Sequence, residues 1–465
     1  MNARDTRIRI MRDEKISLAL LKLGMPIMVG MMVNALYNVV DAYFVGGLGT
    51  SQMGAVSVVF PIVQIVIGLG MTFGSGAASY ISRLLGEKNT EKANKTASTA
   101  LFSSLFVGVT AIIVSLCFLD NILLALGATE TILPFARAYA LIYISGSILN
   151  IFNVTMNNIV TSEGAAKMTM TAMLIGGGLN VILDPIFIYL LSFGIQGAAI
   201  ATVVAQGVTT LLYVLYILRK KGYLRFSVYS FALDGTIYGE IFKVGIPTFM
   251  FQLLFSTAMG LTNTMASVYG DSAMAAMGVV TRIMALGTYV VFGYMKGFQP
   301  VAGYNYGAKS YDRLREAIKL SLIWATIFCG ITALVMIVLP EQIVSLFSQN
   351  DAVLIEIGGK ALRANGIVFI FFGFQMVYMS LFLALGRGKE GGILSISRQG
   401  LFFIPAILIM PGLLGIGGVI YAQPVADALT VVLTAIFVIG FNRKLKVLKG
   451  KFNTILTEKK TYCTT

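Results

Sequence analysis

Long apolar stretches separated by short polar connections run the length of the chain. Segments such as 97–118 and 432–441 carry no charge at all. A hydrocarbon core about 30 Å thick is crossed by roughly 20 helical residues, so blocks of this length read as membrane-spanning helices. A membrane β-barrel would instead show short segments of alternating polarity. The pattern predicts helices near 16–46, 54–82, 94–118, 134–160, 167–191, 196–219, 240–268, 274–304, 315–338, 356–385, 391–413 and 417–442. The expected fold class is an all-α membrane protein of twelve transmembrane helices.

Charge then orients these helices. Lys and Arg fall on alternate connections: Arg4, Arg7, Arg9, Arg12 and Lys15; Arg83, Lys88, Lys92 and Lys95; Lys167; Arg219, Lys220, Lys221 and Arg225; Lys309, Arg313 and Arg315; Arg387 and Lys389; and the stretch 443–460. The remaining connections are nearly uncharged or acidic, with Asp120, Glu130, Glu341 and Asp351. Basic loops stay in the cytoplasm. Both termini are therefore expected there, in a multi-pass protein of the cell membrane. The charged start of the chain gives no sign of a cleavable signal peptide.

The halves of the chain repeat. Lys22-Leu-Gly-Met-Pro26 matches Lys243-Val-Gly-Ile-Pro247, and with no gap Gly49 then meets Gly270, Met53 meets Met274, Gly76 meets Gly297 and Lys88 meets Lys309. Further on, Gly164 to Lys167 resembles Gly386 to Lys389, and Gly194-Ile-Gln-Gly197 meets Gly415-Ile-Gly-Gly418. Parallel repeats imply two six-helix lobes related by a pseudo-two-fold along the membrane normal, with a central cavity between them. The expected division is an N-lobe over 1–222, a connecting loop over 223–239, a C-lobe over 240–442 and a cytoplasmic tail over 443–465.

Composition fits this picture and removes alternatives. Of the 465 residues, 57% are hydrophobic and 12% charged, about half the charged share of soluble domains. The net charge of +14 could suggest nucleic acid, but its placement in loops between apolar blocks marks topology instead, so no nucleic-acid partner is expected. Histidine is absent, which removes the commonest metal ligand and the usual proton carrier near neutral pH. Cys117, Cys329 and Cys463 show neither disulfide nor zinc spacing. Gly68-Leu-Gly-Met-Thr-Phe-Gly74 lies in an apolar helix and lacks the lysine of a phosphate loop. The energy source is then an ion gradient, with no further cofactor. The 23 Met and 30 Phe suit a cavity that repacks around varied shapes, although ordinary packing accounts for most of them.

Two carboxylates lie at membrane depth, where a charge costs at least about 2.5–3.5 kcal/mol. Asp41 is in the first helix, and Asn34, Tyr37 and Asp41 share one face with Asn38 at its edge. Asp184 is in the fifth helix, one turn from Asn180 and next to Pro185. The fourth helix adds Asn150, Asn153 and Asn157, and the sixth Thr202 and Gln206. Together they make a candidate polar pocket in the N-lobe. Such an acid pair could bind and release a proton, or hold Na+ with amide and hydroxyl oxygens; a helix break or cap is the competing structural role. The C-lobe has Thr262 and Pro405 at the matching positions. The lobes are thus expected to be inequivalent, with coupling in the first. Pro26 removes a hydrogen bond inside the first helix and is a candidate hinge. Asp427 in the last helix is read as structural or as the partner of a neighbouring base, Lys296 and Arg282 as bordering the cavity or snorkelling near an end, and Glu163 with Lys167 as a loop or gate contact.

Taken in order, Pro26, Asn38-Val-Val-Asp41-Ala-Tyr-Phe-Val-Gly46, Gly164-Ala-Ala-Lys167, Asn180-Val-Ile-Leu-Asp184-Pro185, Gly194-Ile-Gln-Gly-Ala-Ala199 and Gly303-Tyr-Asn-Tyr-Gly307 resemble the multidrug and toxic compound extrusion (MATE) family, nearest its prokaryotic DinF-like and MepA-like branches. The likeness covers nearly the whole chain. It implies H+- or Na+-coupled efflux of amphipathic organic cations by alternating access of two lobes. It puts ion coupling on Asp41 and Asp184, with Tyr37, Asn180 and Thr202 around them and Asn157 near by. Acids that some branches carry in helices seven and ten are absent. The expected protein is a transporter and no enzyme, acting as a monomer on small organic cations within the bilayer. A flippase for a lipid-linked sugar or polyisoprenoid carrier is the alternative; it would want a cationic cavity for a pyrophosphate. A lipid-modifying enzyme and a channel are weaker still.

Overall fold

The computed structural model describes residues 3–347 and 351–462. The described chain is helical, with eleven helices long and apolar enough to cross a membrane, or twelve when the bent pair Ala352–Phe369 and Phe372–Ala384 is taken as one span. Those two halves meet at 54°. The spans, in order, are Ile16–Gly46, Thr50–Gly86, Thr90–Cys117, Leu133–Ser162, Ala166–Pro185, Gly194–Leu218, Gly235–Ser267, Asp271–Gly307, Tyr311–Val338, the bent pair, Gly388–Leu414 and Ile416–Phe441. The last helix continues without a break to Tyr462, so the tail is helical as far as it is described. Cys463 lies outside the described residues; Cys117 is exposed and Cys329 buried.

Three short helices went unread in the sequence: Ala3–Arg12, Leu119–Ala125 and Pro340–Ser345. Each is under three turns long, too short for its periodicity to stand out. The seventh span also starts earlier than the hydropathy suggests. Asp234 accepts a hydrogen bond from the Thr236 amide at 2.8 Å and caps the helix at Gly235. A capping side chain satisfies one of the free amides at a helix start.

The backbone repeats along with the sequence. Left-handed φ angles recur at Gly49 and Gly270, Lys88 and Lys309, Gly164 and Gly386, and Gly194 and Gly415. The short helices Leu119–Ala125 and Pro340–Ser345 occupy matching places. At Lys88 (φ 62°) and Lys309 (φ 56°) a side chain bears a conformation that disfavours any residue but glycine. Both follow the close crossing described next.

Apolar packing separates the ends of the molecule. One core, including Val59, Ile62, Leu123 and Ile195, lies wholly in the first half of the chain. A second, including Met277, Val280, Ile407 and Val419, lies wholly in the second half. The largest joins both halves at the basic end, from Ile16, Leu20 and Leu84 to Phe298, Leu314 and Leu385. Backbones touch there. A Cβ on Gly86 would collide with the Tyr304 carbonyl, one on Gly307 with the Arg83 carbonyl, one on Gly76 with Ile241 and one on Gly297 with Gly24. Only a residue without a Cβ permits that approach. Arg83 also pairs with Glu240 across the two halves at 2.6 Å. The lobes are thus joined at the basic end, and each has its own core toward the other.

Candidate functional site

Spans one and five bring the two acids together. The helix from Ile16 to Gly46 passes through Pro26 unbroken, so Tyr37 and Asp41 project from one continuous rod. Gly177 lets the fifth span approach it: a Cβ there would stand 3.3 Å from Val33 and 3.4 Å from the Tyr37 ring. Asn180 and Asp184 continue the Gly177 face one and two turns on. The fifth helix then widens into a π-turn over Ile186–Leu190, directly after Pro185, where the ring cannot supply an amide hydrogen.

The polar groups converge as follows. Asn180 donates from Nδ2 to Asp184 Oδ1 at 3.3 Å and to Thr202 Oγ1 at 3.3 Å, tying span five to span six. Asp184 is fully buried and Asn180 nearly so, while Asp41 is half-buried. The carboxylates of Asp41 and Asp184 are within electrostatic range of each other and of the Tyr37 and Tyr139 phenols. Neither acid forms an ion pair with a Lys or Arg among the described residues. Asn180 Oδ1 and Asp184 Oδ2 are buried oxygens without a hydrogen-bond partner.

The asparagines of span four divide. Asn153 clamps span six, donating to the Gln206 carbonyl at 2.9 Å and accepting from Thr210 at 3.0 Å. Asn157 keeps a buried, unpartnered Oδ1 facing the Tyr213 hydroxyl. Asn150 donates to Tyr143 at 3.5 Å, and Gln206 faces the same phenol. Asn38 is exposed and returns its amide to the Asn34 carbonyl at 2.7 Å within its own helix.

Sequence reasoning missed two phenols. Tyr139 and Tyr143 stack with ring centroids 6.1 Å apart and planes 7° from parallel. Their signal was present: Tyr143, Asn150 and Asn157 fall at seven-residue steps on one stripe, with Tyr139 a turn before. From the other lobe, Tyr289 comes within range of Tyr37. A contact between lobes has no local signal.

Two other membrane or gate charges have distinct places. Asp427 is paired: Arg398 donates to its two oxygens at 2.7 and 3.3 Å, Gln423 donates at 2.8 Å, and the guanidinium lies over Phe372. Both partners are buried. Glu163 does not take Lys167, which is exposed. It accepts instead from Tyr216, from Arg7 at 3.4 Å, and from the amides of Tyr223 and Leu224 at 2.7 and 2.8 Å.

Chemically, the first-lobe site is a cluster of oxygen acceptors short of donors. Buried acceptors are normally satisfied, so a proton or a cation would complete this one. No group of three or more His, Cys, Asp or Glu that could hold a metal ion exists among the described residues. Carboxylate, amide and hydroxyl oxygens suit a hard cation rather than a transition metal.

Twelve spans in two repeated lobes, joined at one end and carrying two acids without a basic partner at membrane depth in one lobe, define a membrane protein of the secondary-transporter kind. The MatE family profile matches residues 26–186 and 247–409, one block in each lobe, and the chain belongs to that family. It is 28% identical to the multidrug export protein MepA of Staphylococcus haemolyticus over 454 residues, covering 96% of this chain and 98% of that protein. It is 27% identical to MepA of Staphylococcus aureus over 452 residues, covering 96% and 98%. Among solved structures, a multidrug resistance MATE transporter of the MOP superfamily in its outward-facing conformation superposes with a TM-score of 0.89 at 29% identity, over 96% of this chain and 99% of that one.

Proposed function

We propose that this protein is a multidrug efflux antiporter that exports amphipathic, mostly cationic organic compounds in exchange for H+ or Na+. The carrying observation is the pair Asp41 and Asp184, held in one lobe with unpartnered oxygens beside them and in no ion pair among the described residues. A site of that polarity attracts a cation, and either the coupling ion or the positive end of a drug satisfies it. Competition between the two for one acid pair is the simplest coupling: the ion's arrival displaces the drug. The names of the relatives agree in kind.

Coupling rests on Asp41, Asp184, Asn180, Tyr37 and Thr202, and the drug contacts Asn34, Asn38, Asn153, Asn157 and Gln206. The lobes, 1–222 and 240–442, rock about the joined basic end, with Pro26 as a hinge and 223–239 as the connection. Basic connections and both termini face the cytoplasm of a cell membrane, and one chain, holding both lobes, acts alone. The acid pair disfavours the pyrophosphate of a lipid carrier as cargo.

The test is ethidium efflux from proteoliposomes under an imposed H+ gradient and then an imposed Na+ gradient, for the wild type and Asp41→Asn. Efflux driven by one gradient and lost in the variant supports the reading and names the ion. Efflux indifferent to both gradients, or retained in the variant, sinks it.

A further inference from the structure

The lipid-facing stripe of span three stops short of the basic end. Thr99, Phe106 and Ile113 follow one another at seven-residue steps and so share a face. Phe106 is 76% exposed and Ile113 57%, yet Thr99 is fully buried. Every position from Thr96 to Leu101 is buried, which is more than one full turn. The connection between the lobes supplies the cover. Thr99 accepts from the Ala232 amide at 3.1 Å and donates to the Ala232 carbonyl at 3.3 Å. The Ser227 amide donates to Ser98 at 3.2 Å, and the Arg225 amide to Asn94 at 2.9 Å.

These bonds fix which side of the connection looks outward. Leu224 is buried and Phe226 packs against the cores. Val228 is 70% exposed, Leu233 82% and Tyr229 fully. Val228 and Tyr229 stand on one short helical turn, Val228–Ser230, at whose start the Ser227 hydroxyl accepts from the Tyr229 amide at 3.2 Å. The backbone is thus tied down on the inner side, and apolar side chains project from the outer one.

Their level is the edge of the hydrocarbon. Span three carries no charge from Ala97 to Phe118, a run that at about 1.5 Å per residue matches a core roughly 30 Å thick. Ser98 and Thr99 open that run. Arg225, tied to Asn94 on its charged side, is exposed, where lipid phosphates would stand. Apolar side chains with a tyrosine beside a basic residue are what the membrane interface selects.

We propose that the segment 228–233 is an interfacial anchor whose Val228, Tyr229 and Leu233 lie in the lipid of the leaflet at the basic end. The occupant is lipid rather than another protein because the patch continues, over Thr99, the stripe that Phe106 and Ile113 already present to the bilayer. The connection between the lobes is then a lipid-bound strip of the first lobe and not a free tether. Rocking of the second lobe begins beyond Ala232, where span seven starts at Gly235. This holds whatever the cargo or coupling ion.

The experiment places a nitroxide label at Tyr229→Cys, with Cys117, Cys329 and Cys463 replaced by Ala, in the full chain reconstituted into phosphatidylcholine–phosphatidylglycerol vesicles. Power saturation compares collisions with oxygen, which concentrates in lipid, and with a water-soluble nickel chelate. Labels at Phe106→Cys and at the exposed Glu87→Cys serve as the lipid and water references. The label at position 229 should favour oxygen over nickel, as at 106 and opposite to 87, and labels at Val228→Cys and Leu233→Cys should agree. Agreement among three exposed positions guards against one disturbed variant. Nickel favoured over oxygen puts the segment in water and overturns the anchor. Low collision rates with both put it against protein, a second copy or another partner, and overturn it equally.

Discussion

Asn180 reaches one helical turn forward to Asp184, donating to Oδ1 at 3.3 Å, while Asp184 Oδ2 is buried without any partner. The amide therefore fixes one oxygen of the carboxylate and leaves the other for an arriving proton or cation. Asp184→Asn should remove gradient-driven efflux while the protein still inserts and folds, because an amide matches the acid in shape but carries no charge. Reconstituted efflux together with the melting temperature checks this. Full efflux in the variant would remove Asp184 from the coupling site.

The lobes differ at equivalent positions. Thr262 stands where Asp41 stands in the first lobe, and its hydroxyl is already spent on the Ala258 carbonyl at 2.9 Å. Thr262→Ala should leave efflux within about twofold and stability within about 0.5 kcal/mol. Asp41→Asn should abolish efflux. Equal losses at the two positions would contradict a single-lobe coupling site.

Gly86 and Gly307 permit the backbones of spans two and eight to meet at the basic end. A side chain at Gly86 would meet the Tyr304 carbonyl, which cannot turn aside. Gly86→Val should therefore pry that end open. Spin labels at Glu87→Cys and Asp312→Cys, on a background with Cys117, Cys329 and Cys463 replaced by Ala, should read a longer distance and reduced efflux. An unchanged distance would mean that the crossing is not the closure.

In the second lobe, Asp427 and Arg398 form a buried pair. Removing one partner strands the other charge, which costs about 3–5 kcal/mol, whereas removing both costs much less. Arg398→Met alone should lower the melting temperature in detergent clearly, and Arg398→Met with Asp427→Leu should recover most of that loss. If the pair is purely structural, both folded variants transport normally at a temperature below their melting points.

Much of this protein is local enough to be written in its order of residues. Apolar runs near 20 residues give the spans because a bilayer has a fixed thickness, and the glycines at Gly49 and Gly270 or Gly194 and Gly415 repeat because turns with positive φ need them. Asp41 and Asp184 announced themselves because a carboxylate in an apolar run is costly wherever it ends up. Tyr37 with Asn180 followed from helical spacing alone.

What the tertiary structure decided is which of these groups meet. That Asp427 could take a base was legible, but not that the base is Arg398; nothing near Glu163 foretold Arg7 and Tyr216, and Tyr289 reaches Tyr37 from the opposite lobe. Periodicity fixes the face on which a side chain stands, because it is set by the geometry of one helix. The neighbour across that face depends on how remote helices pack, as where Gly86 and Gly307 let backbones touch and where Gly177 meets the Val33 and Tyr37 side chains.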